Sequence, residues 1–222
     1  MRETEVRHTA GTVQLRADDS GQRLGGFALK FNRLSQNLGG FVERIAPGAL
    51  TKTLRDAGDV LCRYQHEDHY LLGRTASGTL RVSLTDEGLD YEVDLPDTDY
   101  AHNLAALAAR GDVQHSSFAF RTLEDEWGFT EQGFPLRTLL EIQLVDVAPV
   151  VQPAYLDTTS GLRSLAESRH LDLDAVRAAA ASDGLADVLR GVEAQEIEPG
   201  DTHSTPVALM QRMACLRGKA AT

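Results

Sequence analysis

The stretch that decides the fold class is residues 111–120, which read Gly-Asp-Val-Gln-His-Ser-Ser-Phe-Ala-Phe. Side chains of a β-strand alternate between its two faces, so Phe118 and Phe120 point one way while Ser117 and Ala119 point the other. The two aromatic side chains would anchor one face in a core. The opposite face carries only small side chains around Ser117, which leaves room for a bound molecule. Taken alone, the segment is an ordinary polar strand that contains a Ser-Ser pair.

Strand patterns recur on both sides of this stretch, separated by turns rich in glycine and aspartate. The predicted strands are residues 12–16, 25–31, 41–45, 60–65, 78–84, 89–95, 113–123 and 136–147. Two helices interrupt them: one begins at 46–47 and ends near 57, and the other begins at 96–99 and ends at Gly111. Many strands with few helices predict a mainly β fold with peripheral helices, built as a closed or nearly closed β-barrel.

The composition changes after Tyr155, where the chain becomes rich in alanine, aspartate and glutamate. Helices are predicted over residues 172–181 and 185–192, and residues 196–206 read as a linker. The sequence therefore predicts a main domain at residues 1–160 and a helical tail at residues 161–222, loosely attached because it has few β-branched or aromatic side chains.

The composition also limits the function. The 222 residues carry a net charge of −11, and an acidic surface repels phosphate backbones, so free nucleic acid is an unfavourable partner. Cys62 and Cys215 lie far apart in different contexts, which favours a reducing compartment over a disulfide framework. No apolar stretch approaches the roughly 18 residues that span a bilayer, and residues 1–5 lack the apolar core of a signal peptide. We expect a soluble, intracellular protein with no membrane partner.

Histidines supply candidates for proton transfer near neutral pH. His66 lies where an apolar strand gives way to a polar loop, and His115 is a rival base on the same strand face as Ser117. A serine becomes a useful nucleophile only when a base takes its proton. His66 and His69 also form an H-x-x-H pair, but no second ligand pair at zinc-like spacing occurs elsewhere, so we predict neither a metal nor another cofactor.

An aspartate in a buried strand is the third candidate. In residues 139–150, Ile142, Leu144 and Asp146 share one face, whereas Glu141 lies on the other. A carboxylate in line with two apolar residues is costly to bury without a partner, and orienting a catalytic imidazole would supply one. The alternative is that the strand has already left the core at Asp146.

These segments, in this order, resemble the prohead protease family of tailed phages over roughly residues 10–160. Five segments carry the resemblance. The first two are Gly25-Gly26-Phe27-Ala28 with Phe31-Asn32, and Phe41 to Leu50, which resembles an E-x-I-x-P-G-A-F/L motif. The other three are His66 followed by Leu72-Gly73-Arg74-Thr75; Ser117-Phe118-Ala119-Phe120, which resembles S-F-G-F; and Asp146-Val147-Ala148-Pro149-Val150 with Pro153-Ala154-Tyr155. The departures are His115, where glycine is common, and Ala119 in place of a glycine.

The resemblance implies a fold similar to the herpesvirus assembly proteases, a β-barrel ringed by helices. It implies a serine endopeptidase with Ser117 as nucleophile and His66 as base. Asp146 stands where the family usually has glutamate and is predicted to be the third member, with Glu141 as the alternative. Arg74 occupies a family-like position, where it would either shape the site or form a structural ion pair.

The resemblance also implies a place of action and partners. The chain would act in the host cytoplasm, inside the immature phage capsid, on the major capsid protein and its scaffold segment. The chain would then cut itself, with the tail as a targeting or self-cleaved segment. The resemblance leaves open whether the chain forms a homo-oligomer. The competing hypothesis is a non-enzymatic capsid-assembly or scaffold module that keeps the protease fold. A metal-dependent hydrolase that uses His66 and His69 is a third hypothesis.

Overall fold

The structure, a computed structural model, describes residues 3–9, 13–18, 21–56, 58–151 and 159–197. These residues form strands β1 (Glu5–Thr9), β2 (Gln14–Asp18), β3 (Gly21–Lys30), β4 (Val42–Ile45), β5 (Leu61–Arg63), β6 (Leu71–Arg74), β7 (Leu80–Leu84), β8 (Gly88–Asp94), β9 (His115–Phe129) and β10 (Pro135–Val150). The helices are α1 (Thr51–Arg55), α2 (Asp99–Arg110), α3 (Thr159–Ser168), α4 (Leu173–Ala181) and α5 (Leu185–Ile197). The prediction of a mainly β fold with added helices is confirmed.

The strands are arranged in two sheets. One has the order β1-β9-β10-β5-β6, with β4 also paired to β10, and the other has the order β2-β3-β8-β7. The prediction of a closed or nearly closed barrel is wrong, because a barrel requires the sheet to close on itself. In the part of the chain that the structure describes, β1 and β6 end one path, and β2 and β7 end the other.

A shared hydrophobic core joins the two sheets. Leu29 of β3 and Val93 of β8 are fully buried from one sheet, and Cys62 of β5 and Phe120 of β9 are fully buried from the other. Helix α2 adds Leu104 to the same core and ends at Gly111, whose φ of 84° is a left-handed conformation that glycine adopts without steric cost.

The pairing within the first sheet brings distant parts of the sequence together. β5 and β10 run parallel, with Leu61 opposite Asp146 and Cys62 opposite Val147. β9 lies on the other side of β10. These three neighbouring strands therefore share one end, which holds the turn that follows β5, the end of β10 and the beginning of β9.

The chain forms two compact units. The first comprises residues 1–34, 44–126 and 138–157, and the second comprises residues 35–43, 127–137 and 158–222. The division into a domain at residues 1–160 and a tail at residues 161–222 stays a prediction. The second unit has buried groups of its own: the rings of Phe41 and Trp127 lie 4.9 Å apart.

Helices α4 and α5 begin where the sequence predicts, and the Asp172 side chain caps α4 by accepting a hydrogen bond from the Ala175 N–H at 2.9 Å. α5 extends to Ile197, beyond the predicted end at Val192. Most of the predicted linker at 196–206, and the motif Pro153-Ala154-Tyr155, lie outside the described residues. No helix among the described residues is both long enough and apolar enough to cross a membrane.

Candidate active site

Ser117 lies near the start of β9 and is fully buried. The rings of Phe118 and Phe120 stack at 5.3 Å on the opposite face of the strand, as the alternation in sequence predicts. The neighbouring Ser116 is also fully buried, but its hydroxyl lies 3.2 Å from the Tyr91 hydroxyl. The two adjacent serines therefore have different surroundings.

His66 and Asp146 complete a line of hydrogen bonds that ends at Ser117. The His66 Nε2 atom lies 2.6 Å from Ser117 Oγ, and its Nδ1 atom lies 2.7 Å from Asp146 Oδ1. Asp146 is fully buried, and the His66 side chain is 18% exposed. Three residues that are 51 and 80 positions apart in sequence thus meet in the order carboxylate, imidazole, hydroxyl.

The backbone of the turn after β5 gives His66 its position. Gln65 and His66 both have left-handed backbone conformations, with φ of 58° and 62°. Such values are uncommon for residues other than glycine and persist where the surrounding structure holds them. Because β5 pairs with β10 next to Asp146, this tight turn brings the imidazole to the carboxylate.

Arg63 is a site residue that the sequence analysis did not identify. Its Nε atom donates to Asp146 Oδ2 at 2.6 Å, Nη2 binds the same oxygen, and Nη1 binds Asp68. Burial lowers the pKa of Arg63, but the carboxylates of Asp146 and Asp68 outweigh it and hold the pKa above its ordinary value. The sequence carried half of the signal, since a buried aspartate requires a partner. That Arg63 is this partner follows only from the pairing of β5 with β10 in the structure.

Cys62 lies in the same region and is a potential rival nucleophile. It is fully buried, and burial, followed by the negative charge of Asp146, raises its pKa well above the ordinary value. Since the thiolate and not the thiol is the reactive form, this environment keeps Cys62 in its unreactive thiol form.

Two of the predicted alternatives have other partners. The Glu141 carboxylate forms an ion pair with Lys52 at 2.9 Å, on the strand face away from Asp146. Arg74 binds Asp59 at an exposed position, with 47% of its side chain accessible. Neither of these residues contacts Ser117 or His66 through the hydrogen bonds of the described residues.

The remaining histidines are placed differently from His66. Ser117 Oγ has His66 and the Arg7 carbonyl as hydrogen-bond partners among the described residues, and His115 is not one of them. His69 is exposed, and both ring nitrogens of His66 are engaged by Asp146 and Ser117. In the described part of the chain, no group of three histidine, cysteine or acidic side chains is placed to hold a metal ion.

This geometry supports base-assisted attack by a serine. A neutral imidazole that donates from Nδ1 to a buried carboxylate has its Nε2 lone pair free to accept a hydroxyl proton. The Asp146 charge stabilises the imidazolium that results from this transfer. Nucleophile, base and orienting group lie within hydrogen-bond reach of one another, which is the arrangement that such chemistry requires.

Comparison with known families agrees with the chemistry of this arrangement. A model of the caudovirus prohead serine protease family matches residues 11–171. The chain belongs to this family. Among solved structures, the capsid assembly protease of bacteriophage T4 is similar, with 12% sequence identity and a TM-score of 0.48, over 67% of this prohead-protease-family chain and 97% of the T4 chain. No curated protein matches the sequence.

Proposed function

We propose that the chain is a serine endopeptidase in which Ser117 is the nucleophile, His66 the general base and Asp146 the third member. The observation that carries this proposal is the hydrogen-bonded line Asp146–His66–Ser117, with contacts of 2.7 and 2.6 Å. Membership of a family of serine proteases supports it. The line uses Asp146 rather than Glu141 and His66 rather than His115.

The reaction is acyl transfer to Ser117 followed by hydrolysis. His66 Nε2 takes the Ser117 proton while Oγ attacks a peptide carbonyl, and the imidazolium then gives that proton to the leaving amine. Water, deprotonated by the same imidazole, releases the acyl group as a carboxylate. Base catalysis of this kind contributes about 10²–10⁴-fold. Asp146, held by Arg63, fixes the imidazole in the orientation that presents Nε2 to Oγ.

The substrates follow from the family. We assign the major capsid protein and its scaffold segment as substrates and the interior of the immature capsid, in the host cytoplasm, as the place of action, because prohead proteases belong to that assembly stage. The chain itself is a further substrate in this proposal, with residues 161–222 as the targeting or self-cleaved part. Residues 198–222 of that segment lie outside the described residues.

Co-expression with the capsid protein tests the proposal. Wild type should yield shortened capsid protein and a trimmed chain by intact mass, whereas Ser117→Ala and His66→Ala should leave both full length. Ser116→Ala is the matched control, since Ser116 is equally buried but bonds to Tyr91, and it should cleave like wild type. Circular dichroism should show that all four proteins are folded.

The outcomes separate the competing functions. Full-length capsid protein with every variant would favour the non-enzymatic scaffold module. Cleavage by Ser117→Ala that a chelator abolishes would favour the metal-dependent hydrolase. Cleavage lost equally in Ser116→Ala and Ser117→Ala would show that the strand, and not the Ser117 hydroxyl, is what the reaction needs.

A further inference from the structure

Strand β1 lies directly against the nucleophile. It pairs antiparallel with β9 over Glu5–Thr9, with His8 opposite Ser117 and Val6 opposite Ala119. β1 lies before residues 11–171, the part of the chain that matches the model of the prohead protease family. Ser117 is fully buried in this arrangement, although a substrate carbonyl must reach its hydroxyl.

The backbone of β1 also competes for the Ser117 proton. Ser117 Oγ donates to the Arg7 carbonyl oxygen at 2.9 Å while it lies 2.6 Å from His66 Nε2. A hydroxyl has one proton to donate. When that proton points at the Arg7 carbonyl, it cannot pass to His66. β1 therefore holds the hydroxyl in an arrangement that opposes its use as a nucleophile.

His8 occupies the space beside Ser117. Directly opposed residues of antiparallel strands project to the same face, so His8 lies on the face that carries Ser117. Burial, followed by the nearby His66, Arg7 and His115, lowers the pKa of His8 to about 4. Its Nδ1 atom is buried without a hydrogen-bond partner among the described residues. A buried polar atom left unsatisfied costs free energy, which weakens the hold of β1 on this site.

Polar contacts, more than core packing, hold β1 in place. The Arg7 guanidinium lies over the Phe120 ring at 5.6 Å, and Thr122 Oγ1 donates to Glu5 at 2.6 Å. At the other end of β1, Thr9 Oγ1 donates to the Ala28 carbonyl at 2.6 Å. The ion pair of Arg7 with Glu5 lies within β1 itself. No residue of β1 belongs to the hydrophobic core of the described chain. Another extended segment could take over the backbone pairing of β1 with β9 without disturbing that core.

We infer that the edge of β9 beside Ser117 is the binding site for the substrate's extended chain, and that β1 is an internal strand which the substrate displaces. An extended peptide adds to a sheet edge through main-chain hydrogen bonds, with side chains selecting the sequence. The substrate would run antiparallel to β9 and present a backbone carbonyl at the place that the Arg7 carbonyl occupies. This inference rests on the proposed role of Ser117.

A reversible lock tests the inference on the full chain. Val6→Cys/Ala119→Cys places two thiols at directly opposed positions, where the backbone spacing suits a disulfide. The probe is a fluorophosphonate, whose phosphorus bonds to Ser117 Oγ with loss of fluoride and transfer of the proton to His66. The oxidised protein should label about tenfold or more slowly than the same protein after reduction. Intact mass gives the rate.

Two further variants complete the design. Arg81→Cys/Glu92→Cys is the matched control, a cross-strand pair of β7 and β8 whose oxidation should leave labelling unchanged. Arg7→Gly loosens β1 by removing the contact with the Phe120 ring of β9 and by placing a glycine within the strand, and it should label faster than wild type. Equal rates in oxidised and reduced Val6→Cys/Ala119→Cys would overturn the inference and leave the proposed function standing. Absence of labelling in every protein, Arg7→Gly included, would overturn the proposed function itself.

Discussion

At the scale of single residues, the site depends on how one buried charge is neutralised. Asp146 is fully buried and receives His66 on one oxygen and Arg63 on the other. A carboxylate removed from water must find such partners, or it takes up a proton and becomes neutral. Arg63 therefore does two things: it makes the burial of Asp146 tolerable, and it leaves the other oxygen in place to orient the imidazole.

Replacing Arg63 should show how strongly the free energy of unfolding depends on neutralising the Asp146 charge. Arg63→Met leaves the buried Asp146 charge without its cation, and breaking a buried pair typically costs about 3–5 kcal/mol. The double variant Arg63→Met/Asp146→Asn should lose less than the sum of the two single losses, because the unpaired charge is gone. Urea unfolding measures the free energy of unfolding of the two single variants and of the double variant. Arg74→Met is the control and should change stability little, since its pair with Asp59 is exposed. A loss as large in Arg74→Met would contradict the assignment.

At the scale of elements, the turn after β5 sets the position of His66 through its backbone. Gln65 adopts φ of 58°, a left-handed conformation that crowds the side chain of any residue other than glycine. Asparagine tolerates this conformation, whereas a β-branched side chain does not. The turn is therefore sensitive to the shape of residue 65, even though that side chain makes no contact in the Asp146–His66–Ser117 line.

Substitutions at position 65 should separate backbone shape from chemistry. Gln65→Ile should lower the free energy of unfolding, because a β-branched side chain adds strain to a conformation that Gln65 already tolerates poorly. It should also slow fluorophosphonate labelling of Ser117 because His66 moves. Gln65→Asn should match wild type in both measurements. If Gln65→Ile and Gln65→Asn behave alike, the left-handed turn does not position His66.

The sequence predicts elements better than the contacts between them. Alternation of side chains in β9 and β10 placed Ser117 and Asp146 on strands. The structure has contacts of His66 with both residues, while their catalytic roles stay a prediction. Strand β1 was not predicted, because five residues with mixed polarity show no buried face until β9 supplies one. The barrel prediction failed because strand count and spacing do not determine which edges pair.

The pairing of β1 should depend on pH through His8. The folded-state pKa of His8 is about 4 against an ordinary 6.5, so between these values the unfolded chain binds a proton that the folded chain does not. The contribution of His8 to the free energy of unfolding is therefore fully present above about pH 6.5 and is lost as pH decreases towards 4. Wild type should lose more stability between pH 7 and pH 5 than His8→Gln, which cannot titrate there. Urea unfolding at both pH values gives the comparison, and equal losses would contradict it.

At the scale of the whole molecule, the groups of the candidate site belong to one compact unit. Ser117, His66, Asp146 and Arg63 lie in the unit formed by residues 1–34, 44–126 and 138–157. The helices α3, α4 and α5 belong to the other unit. These four side chains therefore all come from one unit, and we predict that their arrangement does not depend on the helices of the other unit.

A packing change inside the helical unit tests this independence. A Cβ atom on Gly161 of α3 would lie 2.8 Å from the ring of Phe41, which is fully buried against Trp127 and has little room to move. Overpacking of this kind costs about 1–3 kcal/mol, which opposes the gain of roughly 1 kcal/mol that alanine gives a helix over glycine. Gly161→Ala should thus destabilise the protein or leave its free energy of unfolding unchanged. Gly184→Ala is the comparison without overpacking, because its Cβ would meet nothing closer than 3.5 Å. Gly184 lies just before α5, where alanine is a poorer N-cap than glycine, so the loss there should be small and due to the helix end alone. Both should label with fluorophosphonate at the wild-type rate, since the Asp146–His66–Ser117 line is untouched. Slower labelling of folded Gly161→Ala would mean that the helical unit acts on the site and that activation of Ser117 is a property of the whole chain.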